Sequence, residues 1–375
     1  MARFTLLLSL PALSLLCFAP ARPQSPVPAP QLRPAGRQAL RPSRIRSETR
    51  KVCDYQIAHL GRKPDADWVR ATLMTGVLAT YRTTGDVRRL NEAIRWANDE
   101  GHWTPPRDQR HADALCCGQA YCELYNVKRD AAMVVPLKMA VDRMIASRKP
   151  GRVDWWWCDS LFMAPPMLAR LADVCLQRKY IDFLNDMYWD STDYLFDPAE
   201  GLYYRDKSYF SAKTRNGKKV FWSRGNGWAL AGLARVIQAL PADDPSRPRF
   251  VEHFRKMARA LAPLQGKDGL WRSSLLDPEE FANPETSGTA FFCYGMAWGV
   301  NAGILDAQTY RPVAQRAWRG LVGAVNDQGR LGWVQQVAGS PGPASPDGTQ
   351  EYAVGGFLLA GSEMAAMEQG QPAPQ

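Results

Sequence analysis

The chain has 375 residues, 46% hydrophobic and 22% charged, ample for a large core in one or two domains. Its net charge of +10 suggests a nucleic-acid partner, but the placement argues for a basic, solvated tail instead. Residues 1–46 hold seven Arg and no acid, so residues 47–375 carry only +3, and they lack a basic aromatic stripe.

The N-terminus reads as an export signal over residues 1–21. Arg3 is a short positive region, Phe4 to Ala19 is apolar, and Ala19-Pro20-Ala21 offers a small-residue cleavage site. The apolar run is too short to span a membrane comfortably. Export to the periplasm or the medium is therefore expected. Cys17 follows Leu15-Leu16, a poor match to a lipoprotein site, which leaves lipidation as a minor alternative. Residues 22–46, rich in Pro, Arg and Ala, are expected to form an extended linker.

From residue 47 the apolar periodicity is helical almost throughout. It predicts helices at 48–60, 67–82, 87–100, 111–126, 130–147, 159–175, 178–194, 224–239, 247–263, 286–303, 308–325 and 351–368. Val69, Leu73 and Val77 share one face, as do Leu230, Leu233, Ile237 and Leu240. Short strands are expected only at Tyr203-Tyr204 and Val334–Val337. Twelve helices make six hairpins. In the second half an aromatic turn leads three times through a long loop to a glycine-rich helix start: Gly201-Leu202-Tyr203 to Arg224–Trp228, Gly269-Leu270-Trp271 to Glu285–Ala290, and Gly332-Trp333 to Glu351–Gly356. Such repeats predict an all-α domain over 47–368, a closed toroid of six inner and six outer helices with its motif-bearing loops at one end. An open solenoid is the rival. Residues 369–375 are expected to be a disordered tail.

Cys17 leaves with the signal, and the seven remaining Cys stand at irregular spacing, which predicts buried free thiols. The four His form no ligand pair, so neither a transition-metal site nor a cofactor is expected.

Two stretches carry chemistry. In Trp155-Trp156-Trp157-Cys158-Asp159-Ser160, three indoles run into one acid at a helix start. Asp159 is either a helix cap beside core aromatics or a working carboxyl, since a desolvated acid is costly unless paired or used. Phe221-Trp222-Ser223-Arg224-Gly225-Asn226-Gly227-Trp228 brings a cation, an amide and two indoles together. Flat aromatic faces with one cation and one acid suit an anionic sugar. Arg224 either holds a substrate carboxylate or bridges to a neighbouring helix. Trp222 and Trp228 either stack on sugar rings or pack in the core. Asn226 is a turn residue or a ligand contact, His111 orients Asp113 or caps a helix, and Trp157 is a pocket wall. Glu285 and Glu351 read as helix-start acids, and Arg205-Asp206 as an exposed ion pair.

Five motifs occur in order: His111-Ala112-Asp113 with Gly118-Gln119-Ala120-Tyr121, Trp157–Ala164, Trp222–Trp228, Glu285–Ala290, and Gly355–Glu363. Together they resemble glycoside hydrolase family 105, the unsaturated rhamnogalacturonyl or uronyl hydrolases, and the related unsaturated glucuronyl hydrolases. The resemblance covers residues 50 to 368. It implies an (α/α)6 barrel, Asp159 as catalytic acid/base, Asp113 as the second essential aspartate, and Arg224, Trp222 and Trp228 lining the subsite for the unsaturated sugar. The chain departs from that pattern in having no His in Tyr203–Asp206, and Ala114 where many relatives carry a second Asp.

The reaction so implied removes a terminal 4,5-unsaturated uronic acid from a lyase-generated oligosaccharide of the pectin or rhamnogalacturonan type. An acid protonates C4 of the vinyl ether, water adds at C5, and the hemiketal opens. The expected partner is that oligosaccharide, with no nucleic acid and no membrane span, on a monomer or weak homo-oligomer. Two alternatives stand beside it. One is an inverting hydrolase of saturated glycans using Asp113 and Asp159. The other is a carbohydrate-binding barrel without catalysis.

Overall fold

The computed structural model describes residues 32–370, apart from 34, 62–65 and 107. The expected signal at 1–21, the expected linker as far as residue 31, and residues 371–375 of the expected tail lie outside the described residues. In chain order the helices are α1 (Pro42–Ala58), α2 (Trp68–Thr84), α3 (Val87–Trp96), α4 (Ala112–Leu115), α5 (Cys117–Lys128), α6 (Val135–Ala146), α7 (Gly151–Asp154) and α8 (Ser160–Met163). There follow α9 (Pro165–Cys175), α10 (Lys179–Leu195), α11 (Ser223–Ala239), α12 (Arg247–Leu261), α13 (Thr286–Asn301), α14 (Ala307–Gly323) and α15 (Glu351–Gln369). A two-stranded hairpin, β1 (Phe196–Asp197) and β2 (Leu202–Tyr203), lies between α10 and α11.

Packing order decides between toroid and solenoid. α2 packs on α5, α5 on α9, α9 and α8 on α11, α11 on α13, α13 on α15, and α15 back on α2. The ring closes, giving an (α/α)6 barrel. Composition sorts the helices between the layers. In α13 every residue from Thr286 to Gly299 is buried, and in α15 every residue from Tyr352 to Met367. A helix apolar on all sides needs neighbours on all sides. Outer α12 buries Phe250, Phe254, Met257, Ala258 and Leu261, a single stripe, and turns its charges outward. Where α2 crosses α15, Gly76 faces Gly355, and a Cβ on Gly76 would stand 2.5 Å from the Gly355 carbonyl. That crossing needs glycine.

Inner-to-outer connections are short. Gly85 closes α2 in the left-handed region at φ 69°, and Asp86 caps α3 by accepting from the Arg88 amide at 3.1 Å. Outer-to-inner connections are long and precede each inner helix, so they collect at one end of the barrel, above the inner N-termini. Glu285 caps α13 there, accepting from the Ser287 and Gly288 amides at 2.8 Å each.

Several boundaries differ from the sequence reading. The linker ends before residue 46: Arg37–Leu40 forms a 3-10 turn, α1 starts at Pro42, and Ile45 is fully buried. Proline suits the first helical position, where its missing N–H costs nothing. The helix expected at 159–175 is broken at Ala164, because Pro165 and Pro166 cannot continue the hydrogen-bond ladder of α8. The helix expected at 111–126 is split into α4 and α5. Residues 334–337 form no strand; their neighbour Val325 bridges Leu331 instead. All seven described Cys are free thiols, six of them buried.

Candidate active site

Asp159 occupies the N-cap position of α8, yet its side chain makes no capping hydrogen bond. Capping therefore does not account for the acid. It is 9% exposed, and its Oδ2 accepts from Cys158 Sγ at 3.4 Å. Gly225, in the first turn of α11, lies against this pair: a Cβ there would sit 2.9 Å from Cys158 Sγ and 3.8 Å from Asp159 Oδ2. Burial raises the Asp159 pKa, with the cations Arg205 and then Arg224 pulling the other way.

Asp113 lies in the first turn of α4, with its side chain 25% exposed. Burial, and then the Asp159 charge, push its pKa up to about 7. The Asp159 charge thus acts on Asp113, and the two carboxyls form an interacting pair. Asp159 is the deeper member and Asp113 the wetter one. His111 Nδ1 is 3.6 Å from Asp113 Oδ2, too far for a hydrogen bond, and its ring stacks on Trp157 at 4.7 Å between centroids. Trp157 is buried and forms wall with His111.

Arg205 and Trp156 join this group; the sequence reading had Trp156 only as one of three indoles beside Asp159, and Arg205 as half of an exposed ion pair. Arg205 follows β2. Its carbonyl accepts from the Cys158 amide at 2.9 Å, which locks it beside the Asp159 segment. Its guanidinium lies 4.9 Å from the Trp156 ring centre, and its Nη1 donates to Asp206 at 2.6 Å. Arg205 Nε is buried without a hydrogen-bond partner. The pair expected as an exposed surface bridge is instead largely buried, with side chains 21% and 9% exposed. Trp156 is 41% exposed, unlike its two buried tryptophan neighbours. The signal available was the cation after an aromatic pair, Tyr203-Tyr204-Arg205, in a loop that precedes an inner helix.

Arg224 is placed differently from the expectation that it holds a substrate carboxylate. It is 1% exposed; Nη1 donates to the Gln335 carbonyl at 2.9 Å and to Tyr352 Oη, and Nη2 to the Gln336 carbonyl at 3.0 Å. Its guanidinium lies over the rings of Trp222 and Tyr352, at 4.4 and 4.9 Å from their centres. Trp222 Nε1 donates to Gln335 Oε1 at 2.9 Å. Arg224 and Trp222 are thereby committed to fastening the loop before α15. That loop runs over Arg205 at Gly339, where a Cβ would stand 3.4 Å from the guanidinium.

Trp228 lies one turn deeper in α11, 1% exposed and packed among Phe162, Phe291, Tyr352 and Trp68. Its surroundings are those of a core side chain. Asn226 is fully buried. Its Oδ1 accepts from the Tyr203 amide at 2.8 Å, and its Nδ2 donates to the Tyr203 and Trp222 carbonyls at 3.0 Å. It ties β2, and with it Arg205, to the start of α11. Among the sequence candidates the structure thus gathers Asp159, Asp113, His111 and Trp157. Arg224, Trp222 and Asn226 support from behind, and Trp228 lies below.

A coupled carboxyl pair at the loop-bearing end of a closed six-hairpin barrel, walled by indoles, defines a carbohydrate-active (α/α)6 enzyme. Comparison with known proteins gives the family. A family model described as Glycosyl Hydrolase Family 88 matches residues 43–368, and the chain belongs to that family. An unsaturated 3S-rhamnoglycuronyl hydrolase of Formosa agariphila is 36% identical over 355 residues, covering 88% of this chain and 93% of the relative. A solved family 88 glycosyl hydrolase from Bacteroides vulgatus superposes with a TM-score of 0.82 at 30% identity, over 87% of this chain and 99% of that one. Another solved structure, described as a polysaccharide lyase, also gives 0.82 at 32% identity, over 86% of this chain and 97% of that one.

Proposed function

We propose that this chain is a glycoside hydrolase that removes a terminal 4,5-unsaturated uronic acid by hydrating its vinyl ether. The coupled Asp113–Asp159 pair is the observation that carries this reading. Both carboxyls are pushed up from the ordinary carboxylate range, chiefly by burial, which suits one of them to give a proton to C4 and the other to take one from water. Asp159, buried and not spent on a cap, is the proton donor to C4. Charge then develops at C5 and the ring oxygen. Asp113, nearer solvent, holds the water that adds at C5, and its proton returns to the pair. The hemiketal opens to a 4-deoxy-5-keto uronate and the released sugar. His111 and Trp157 wall the pocket.

Arg205, in place of Arg224, takes the substrate carboxylate. The unpartnered Nε of Arg205 supports this, as does the commitment of Arg224 to main-chain carbonyls. The half-exposed Trp156 offers a face for the next sugar. The Formosa relative acts on an unsaturated 3S-rhamnoglycuronyl substrate, which supports a rhamnose-type sugar in that position. Export, read from residues 1–21, belongs to the same proposal.

The test follows the ultraviolet absorbance of the conjugated double bond in lyase-generated disaccharides. Wild type should abolish it and Asp159→Asn should not. Absorbance that persists while saturated glycans are cut would overturn the reading. A rise on intact polysaccharide would mark elimination instead.

A further inference from the structure

The end of the barrel opposite the carboxyl pair holds a second charge cluster that the proposed reaction does not use. Asp113 and Asp159 precede the inner helices, whereas Arg82 lies in the last turn of α2 and Glu123, Arg170 and Arg235 lie well along α5, α9 and α11. These four helices are consecutive in the inner ring. Glu123 accepts from Arg82 Nη1 at 2.7 Å, Arg170 Nε at 3.2 Å and Arg235 Nη2 at 2.7 Å. Three cations therefore converge on one carboxylate. The next acid, Glu363 on α15, is bonded by Asn301 Nδ2 at 2.8 Å and pushed up by burial to about 7, so it offsets only part of the surplus. Buried cations without matching counter-charge are strongly disfavoured.

Beside the cluster opens a cavity of about 500 Å³, lined among others by Arg82, Glu123, Asn126, Arg170, Asp173 and Gln238. Asp173 is exposed, at the rim. Arg82 reaches the opening with its side chain 27% exposed, and its bond to Glu123 is the one hydrogen bond it makes among the described residues. Arg170 uses Nε and Nη1 on Glu123, Pro166 and Arg235, which leaves Nη2 over. Two guanidinium forks with donors to spare match the geometry of a tetrahedral oxyanion better than that of a monatomic one. We propose that this cavity binds a small inorganic oxyanion of the sulfate class between Arg82 and Arg170.

The test is thermal unfolding of the full chain as sulfate replaces chloride at constant ionic strength. No sugar is present, so the result is independent of the proposed reaction. The wild-type midpoint temperature should rise saturably. Arg82→Gln should lose the saturable part of the rise. Asn126→Asp, which adds a carboxylate to the lining and leaves every ion pair intact, should raise the half-saturating concentration about tenfold. Sulfate also stabilises proteins generally by exclusion from their surfaces, and that effect would be equal in all three proteins. Equal responses, or no sulfate-dependent rise in wild type, would overturn the proposal. If Arg82→Gln does not fold, the Asn126→Asp shift decides alone.

Discussion

Arg205 rests over the indole of Trp156, 4.9 Å from its centre, with Nη1 held by Asp206 and Nε unclaimed. A guanidinium fixed on one side by an acid and on its face by a ring is already oriented before a ligand arrives. Lysine keeps the charge but not the fork. Arg205→Lys should therefore raise KM on the order of tenfold or more and leave kcat within a few fold, and Arg205→Ala should go further. Steady-state kinetics on an unsaturated disaccharide checks this. An unchanged KM in both variants would return the carboxylate to another residue.

In the proposed reaction the carboxyl pair makes activity pH-dependent. Asp113 is pushed up to about 7, chiefly by burial, so the pair keeps its proton below that pH and loses it above. The kcat/KM profile should fall as pH rises through about 7. Asp113→Asn removes one partner and should shift or abolish this limb, while Asp159→Asn should cost roughly 10²–10⁴-fold at every pH. A profile that Asp113→Asn leaves in place would separate the limb from the pair.

The same shift has a stability sign. A folded-state pKa above the unfolded value means that the folded chain binds this proton more tightly. That contribution is fully present below pH about 4 and is lost as pH rises to about 7. Above pH 7 the Asp113→Asn protein should then be more stable than wild type, by roughly 1–3 kcal/mol, although less active. Urea unfolding at pH 5 and pH 8 reads the difference directly. An equal gap at both pH values would contradict it.

Trp228 provides the contrast. Packed among Phe162, Phe291 and Tyr352 at 1% exposure, it supports the site from below. Trp228→Phe should lower stability by about 1–3 kcal/mol and leave KM near wild type. A large rise in KM at unchanged stability would make it a sugar platform after all.

The fold was legible because the inner helices are apolar on every side and the outer ones on one stripe, a difference that periodicity carries without help. The two carboxyls stood out as candidates because each acid starts a helix next to an aromatic or apolar run. Arg205 was misread for a physical reason. Its acidic partner is its sequence neighbour, which looks like a surface bridge, and its burial depends on Asn226 gripping Tyr203 from 23 residues away. The bonds of Arg224 were hidden because its acceptors are main-chain carbonyls 111 and 112 residues downstream, and carbonyls leave no mark in a sequence. The linker ran too far because its Pro- and Arg-rich composition hid a proline at a helix start.

Gly225 sets the clearance of Asp159. No unusual backbone angle demands glycine there; the space does, since an added Cβ would press on Cys158 Sγ at 2.9 Å. Alanine is the better helix former by up to about 1 kcal/mol, so Gly225→Ala should keep the fold within ~1–2 kcal/mol. The strain falls instead on Cys158 and, through its 3.4 Å contact, on the Asp159 carboxyl. Misplacing a proton donor by an ångström costs on the order of 10²-fold in rate. Gly225→Ala should therefore lose kcat far out of proportion to stability. Removing the obstructing sulfur gives the control: Cys158→Ala alone should be mild, and the double variant should recover most of the lost kcat. If the double variant is as slow as Gly225→Ala alone, the contact with Cys158 is not what positions Asp159.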